Sequence, residues 1–476
     1  MKIVNRSLLL FSVILIEGYV VLSSELLAIR QTIPFVGSGT DTVSIIIAAV
    51  LMPLAIGYHR GGQFRPGYFR GRYLTIRRKL IFNVAVALAF LLPGLSFGFL
   101  YFFFRILLST GISDRLIFIS IYSLIFLVVP IYLLAQTLPL VSNYFPKDDL
   151  SKIAGRMLCF STLGSFVGAV FSTLFLMTIL GVHYTASLNF VLLAIVVILL
   201  SKNRITRSVL LAFSMAFAGL FLNGPAVMHY FNIVENNQYN TVQVFVRRNG
   251  DRNLELNRNH SARYNDSGRK HNYIEFAERL AINPTLASDY KGDPKDVLVV
   301  GAGGFTFGHN DPINHYTYVD IDKSLKGVAE EYLLREPIGE NKTFVPKPAR
   351  AYLYSSDKKY DVIFLDAYLG GFSIPEHLST REFYMQVKSH LKDNGVLIVN
   401  FIMQPSFSNQ FTRRLDNTFR SVFPYYSREV IDENYFLWSG MTDNYVNVAY
   451  IYLKQPDENQ GEIYTDDKNT VFKDFP

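Results

Sequence analysis

Seven apolar runs, most of them close to twenty residues long, fill the first 223 positions of this 476-residue chain. They lie at about 7–29, 42–58, 80–104, 116–136, 156–181, 183–201 and 207–223. A hydrocarbon layer about 30 Å thick takes about 20 apolar residues per helix. Backbone in that layer must satisfy its own hydrogen bonds, so the runs predict a polytopic α-helical membrane domain over 1–223. The first run continues past Glu17 to Ile29 without a small-residue cleavage site, which separates it from a secretory signal peptide. Pro93-Gly94 interrupts the 80–104 run and makes it the least regular of the seven.

Charge divides the chain the same way. Residues 1–223 hold 18 Lys and Arg against 6 Asp and Glu, whereas 224–476 hold the remaining 28 and 33. The overall charge of +7 therefore belongs to the apolar half and is no nucleic-acid signature. With seven spans, fifteen of the basic residues flanking them fall on the side of the N-terminus, including Arg60, Arg65, Arg70, Arg72, Arg77, Arg78 and Lys79. Arg30, Arg105 and Arg115 fall on the other. The positive-inside rule then puts the N-terminus and the short loops in the cytoplasm, and an odd span count puts residues 224–476 outside. Gly164 and Gly168 in Ser-Thr-Leu-Gly-Ser-Phe-Val-Gly form a small-xxx-small face for close helix packing. Glu17 and Glu25, the acids well inside a span, are candidates for function, with a helix–helix hydrogen bond or snorkelling beside Arg30 as the structural reading. The single Cys159 excludes a disulfide or cysteine–metal framework, and His309 and His315 flank a loop without a third ligand, so no metal site is expected.

From about residue 224 the apolar period changes from helical to strand-like. Residues 237–247 alternate apolar and polar, Asn249-Gly250-Asp251 supplies a turn, and Asn253–Leu256 starts a return strand, a β-hairpin module assigned to 224–290. A helix is expected over about 272–282. Val297–Val300 reads as a buried strand running into Gly301-Ala302-Gly303-Gly304, and Tyr316–Asp322, Tyr360–Asp366 and Gly395–Phe401 read as further strands. Strands alternating with helices predict a Rossmann-like α/β domain with a parallel sheet over 291–476. Ligands in such sheets sit at the carboxyl ends of the strands. Three features gather there: a glycine turn at Gly301 and Gly303 that a ligand can approach closely, Asp320 about 20 residues on to accept from ribose hydroxyls, and Asp366 at the end of the third strand. Phe305 and Phe307, in a loop lacking a complete G-x-G-x-x-G, suit an adenine or thioether better than a pyrophosphate. Trp438 is expected in the core.

These residues resemble the spermidine synthase (polyamine aminopropyltransferase) family, in a membrane-integrated form. The resemblance runs from about 235 to 400, through Tyr239-Asn240, His260-Ser261, Tyr273-Ile274-Glu275, the glycine turn, Tyr-Val-Asp-Ile-Asp, Asp-Val-Ile-Phe-Leu-Asp and the block Ser373–Phe383. The apolar half resembles helical domains fused to such synthases, through Glu17-Gly18, Gln136–Pro139 and Ser161–Ser165. The family implies aminopropyl transfer from decarboxylated S-adenosylmethionine, a co-substrate rather than a bound cofactor, to an amine such as putrescine. It implies Asp366 as the catalytic base, Gly301, Gly303, Asp320 and Asn240 around the nucleoside, and Tyr239, Tyr273 and Glu275 toward the amine. A homodimer and a bilayer are the implied partners, in a bacterial inner-membrane setting. Three family acids are absent: Gly304, Pro348 and Leu369 stand in their places, and Ile274 replaces a motif histidine. Their loss weakens the negative potential that attracts cations. A non-catalytic nucleoside- or polyamine-binding module coupled to the bundle, and a methyltransferase on the same sheet, are the alternative readings.

Overall fold

The computed structural model describes residues 2–69, 72–111, 114–145, 150–201, 207–283, 292–369, 374–431 and 445–454. Trp438 lies outside them. The chain forms two compact units, one centred on Met1–Ser261 and the other on Ala262–Tyr368 with Ile374–Tyr435. The division falls at Ser261/Ala262, within the 224–290 segment.

Among the described residues, the first unit contains six helices long and apolar enough to cross a membrane: α1 (Ser7–Val36), α2 (Thr40–Gln63), α5 (Arg115–Ser142), α6 (Ser151–Ile179), α7 (Val182–Leu200) and α8 (Arg207–Tyr230). Between them stand α3 (Ile76–Gly94) and α4 (Phe97–Ser109), which pass the same test only as a pair and are bent by 71° at their break. Proline in the last turn of α3 explains the break, because Pro93 has no N–H to continue the ladder. Expected as one interrupted run over 80–104, this segment is two helices. Helices α1 and α6 touch backbone to backbone. A Cβ at Gly164 would stand 2.1 Å from the carbonyl oxygen of Leu15, and one at Gly18 would stand 2.3 Å from that of Ser161. Only glycine permits that approach.

The same unit carries the strands β1 (Ile233–Asn236), β2 (Thr241–Val246) and β3 (Arg252–Leu256) of an antiparallel sheet whose fourth strand, β4 (Asn259–Tyr264), contains the division at Ser261/Ala262. Two arginines tie it to the helices. Arg30, 4% exposed, donates from Nε to the carbonyl of Asn237 at 2.7 Å and from Nη2 to Thr241 Oγ1 at 3.1 Å. The Arg258 guanidinium lies 4.8 Å from the Tyr101 ring centre and 5.1 Å from that of Phe35. Such stacking keeps a cation favourable beside apolar surface.

The second unit is a seven-stranded sheet. Its strands in chain order are β5 (Asp296–Val300), β6 (His315–Asp320), β7 (Lys342–Pro346), β8 (Tyr360–Leu365), β9 (Leu391–Met403), β10 (Ser427–Ile431) and β11 (Val446–Leu453). Their order in the sheet is β10-β11-β9-β8-β5-β6-β7. The five strands from β9 to β7 are parallel, and β11 and β10 close the edge antiparallel. Apolar residues on both sides of β5 and β8 meet the burial that a sheet covered on two faces demands. Connecting helices include α9 (Asn272–Ala281), a helical segment over 325–334, α10 (Ala349–Tyr354), α11 (Arg381–Ser389) and α12 (Gln410–Arg420). This is the Rossmann-like, methyltransferase-type sheet expected from the alternation, with an antiparallel edge that the alternation did not reveal.

Candidate functional site

The carboxyl ends of β5, β6 and β8 converge on the glycine turn and two acids. Gly301 leaves β5 with φ +88°, and a Cβ there would stand 2.3 Å from the carbonyl oxygen of Asp366. Glycine is therefore required for the two strand ends to lie together. The Gly301 N–H donates to the Val319 carbonyl and the Asp366 N–H to the Val300 carbonyl, both at 2.9 Å, which locks the three strand ends in register. Gly303 follows with φ +49°.

Asp320 ends β6. Its Oδ2 accepts from the Ala302 N–H and its Oδ1 from the Asp322 N–H, both at 3.0 Å. Burial pushes its carboxyl up to about 6, against the backbone donors that pull it down. Asp322, wholly buried, caps the next turn by accepting from the Ser324 N–H and hydroxyl.

Asp366 follows β8 and is held on both oxygens. Tyr273 in α9 donates its hydroxyl to Oδ2 at 2.9 Å, and Asn400 in β9 donates Nδ2 to Oδ1 at 2.8 Å. Burial raises the Asp366 carboxyl above its ordinary range, while the donors from Asn400 and Tyr273 and the charge of His271 oppose that rise. A carboxylate so placed can hold an ammonium group and accept its proton. Tyr368 fixes the following loop by donating to the Asn400 carbonyl and accepting from the Ile402 N–H, each at 2.8 Å. Beyond Asn400 lies a largely apolar pocket lined by Ile374, Leu378, Tyr384 and Phe401 among others.

The structure brings Gly301, Gly303, Asp320, Tyr273 and Asp366 into this one unit. Glu275 is there too, but its Oε1 accepts from the Lys270 N–H at 3.1 Å and caps its own helix. Tyr239 and Asn240 belong to the other unit, where the Asn240 amide oxygen accepts from Asn257 at 3.0 Å. The expectation that Phe305 and Phe307 offer their rings to a ligand is corrected. Phe305 is 0% exposed against Tyr318 and Phe344, and Phe307 is 2% exposed and stacks on Phe364 at 4.5 Å. They are core, because the loop turns inward at Phe305 with φ +58°. His309 pairs with Glu336 at 2.8 Å, and no cluster of metal-ligating side chains occurs among the described residues.

One missing acid has a steric explanation. A Cβ at Gly304 would stand 2.3 Å from Leu333 Cδ2 and 2.5 Å from Ala262 Cβ, so any larger side chain is excluded. Pro348 occupies the N-cap of α10. Sequence reasoning missed Asn400 and His271. Asn400 was visible as a lone amide in an apolar strand, and His271 stands two residues before Tyr273.

Residues 277–432 match the family described as the spermine/spermidine synthase domain. The chain is 32% identical over 167 residues to a polyamine aminopropyltransferase of Vibrio vulnificus, covering 34% of this chain and 52% of that protein. It is 33% identical over 144 residues to a probable polyamine aminopropyl transferase of Bifidobacterium longum, covering 29% of this chain and 30% of that one. The chain thus spans about half or less of the length of these curated relatives. Among solved structures, a probable spermidine synthase from Corynebacterium glutamicum aligns with a TM-score of 0.38 at 15% identity, over 48% of this chain and 80% of that one.

Proposed function

We propose that this chain, whose second half carries a spermine/spermidine synthase domain, is a membrane-integrated aminopropyltransferase using decarboxylated S-adenosylmethionine and an amine such as putrescine. The observation that carries the reading is Asp366, hydrogen-bonded by Tyr273 and Asn400 at the strand end that Gly301 touches. In this reading the nucleoside lies over Gly301 and Gly303, with its ribose hydroxyls donating to Asp320. The amine nitrogen, relieved of a proton by Asp366, attacks the carbon next to the sulfonium. A C–N bond forms, the C–S bond breaks with its electron pair going to sulfur, and 5′-methylthioadenosine leaves. The helices α1 to α8 hold the enzyme in a bilayer, with the short basic loops on the cytoplasmic side.

Full-length protein in detergent tests the reading. It is expected to release 5′-methylthioadenosine only when both co-substrates are present, and Asp366→Asn is expected to abolish release. Unchanged turnover in that variant would remove Asp366 from the role of base. Replacement of three family acids by Gly304, Pro348 and Leu369 favours a second reading, a binding module coupled to the helical bundle. Saturable nucleoside binding without product from any amine would establish it. A C-terminal alkaline phosphatase fusion is active if the α3–α4 pair crosses once and the second half lies outside; a fluorescent fusion is bright if the pair only re-enters.

A further inference from the structure

Helix α1 carries two acids that the transfer reading does not use. Glu17 is 3% and Glu25 9% exposed. With Val21 between them they form an i, i+4, i+8 row on one face of the helix, which sets the two carboxyl-bearing positions about 12 Å apart along its axis. Neither acid has a hydrogen-bond or ion-pair partner among the described residues, and Glu17 Oε2 is wholly buried. Arg30 is not their counter-ion, since its donors go to the Asn237 carbonyl and Thr241 Oγ1. A third group shares their need. Asn189 of α7 donates its Nδ2 at 3.2 Å to Ser24, the residue beside Glu25, and its own oxygen is wholly buried without a donor. Asn83 and Asn223, the other buried helix amides with an unpaired atom among the described residues, also lack a donor at the oxygen. What these groups want is N–H donors and positive charge, and an acid inside a membrane span is costly until it finds them.

We propose that the helical unit binds an extended aliphatic polyamine lengthwise along α1, with one ammonium group at Glu17 and another at Glu25. A primary ammonium has three donors, enough to serve the Glu25 carboxylate and the Asn189 oxygen together. Val21, buried midway between the acids, offers an apolar wall to the methylene groups. Length selects the ligand. An extended chain advances about 3.6 Å for every three bonds, so terminal nitrogens nine bonds apart span about 11 Å and nitrogens five bonds apart about 6 Å. The first matches the separation of the two acids and the second does not. The site therefore takes a triamine such as spermidine in preference to putrescine. It is separate from Asp366 and does not rest on the aminopropyl-transfer reading.

Full-length protein in detergent carrying Asp366→Asn tests the proposal, because that background removes the carboxylate of the other unit from amine binding. Calorimetric titration is expected to show saturable spermidine binding. Adding Glu17→Gln or Glu25→Gln is expected to weaken it about tenfold or more, and putrescine is expected to bind about tenfold more weakly than spermidine. Spermidine affinity unchanged by both glutamine variants, or putrescine bound as tightly, would overturn the proposal. A second measurement needs no substitution. Dicyclohexylcarbodiimide labels carboxyls buried in membrane helices, and peptide mass spectrometry reads its rate at each glutamate. In wild-type protein spermidine is expected to slow labelling severalfold at both Glu17 and Glu25. Labelling that spermidine leaves unchanged, or that sodium chloride slows equally, would overturn the proposal as well. Wild-type protein that makes no product with any amine would remove the transfer reading and leave this site as it stands.

Discussion

Asn400 donates its Nδ2 hydrogen to Asp366 Oδ1 across the boundary between two adjacent parallel strands, at 2.8 Å. The amide is 4% exposed in an otherwise apolar strand, so its position serves the carboxylate rather than solvation. A donor to a carboxylate favours the charged form. Asn400→Leu is therefore expected to raise the Asp366 carboxyl further, leaving the base protonated over a wider acidic range. Measured between pH 5.5 and 8.5, the acidic limb of kcat/KM should move to higher pH. An unmoved limb would mean that Asn400 does not tune Asp366.

Nucleoside affinity should follow Asp320. Its carboxyl is raised to about 6 by burial, and only the ionised form offers both oxygens to ribose hydroxyls. Affinity for 5′-methylthioadenosine is thus expected to rise about tenfold from pH 5 to pH 7 in the wild type, as the ionised fraction does. The rise should vanish in Asp320→Asn. Calorimetric titration at the two pH values measures it. The sign for stability is opposite: a raised acid supports the ligand-free fold below the unfolded value near 3.8, and that support is lost as pH rises through about 6.

Restoring a family acid at Gly304 should fail for steric reasons. With Leu333 and Ala262 already within 2.5 Å of a Cβ there, Gly304→Asp both overpacks the core and buries a charge. A loss of about 3 kcal/mol or more is expected, with lower expression and no gain in amine affinity. A double variant that also shortens Leu333 to Ala should recover part of the stability. Full stability of the single variant would contradict the packing.

The crossing of α1 and α6 predicts the behaviour of the helical unit. Gly164→Leu would drive a side chain into the Leu15 carbonyl, and Gly168→Leu into that of Tyr19, where a Cβ would stand at 2.2 Å. Each is expected to lower the unfolding temperature in detergent, by about 3 kcal/mol in stability. A substitution at the exposed Phe166 on the same helix should be nearly neutral. Fluorescence-detected gel filtration after heating separates these outcomes.

The sequence by itself determined whatever depends on local period and length. Six of the seven apolar runs could be recognised as spans, because span length follows from a thickness, whereas the 80–104 run is two helices bent by 71°. The strands ending at Val300 and Asp320 and the acid after Leu365 could be found, because a buried parallel strand is a short apolar block and its end carries the ligand chemistry. What only the tertiary structure decided was which side chains meet. Tyr273 and Asn400 reach Asp366 from 93 and 34 residues away, and no periodicity records that distance. Phe305 and Phe307 looked like ligand-facing aromatics, but a positive φ at Phe305 turned the loop into the core. The glycine at 304 looked like a lost acid until Leu333 and Ala262 were found filling its place. Hydrophobic pattern fixes which face of an element is buried, whereas the partners on that face are set by the packing of elements distant in the chain.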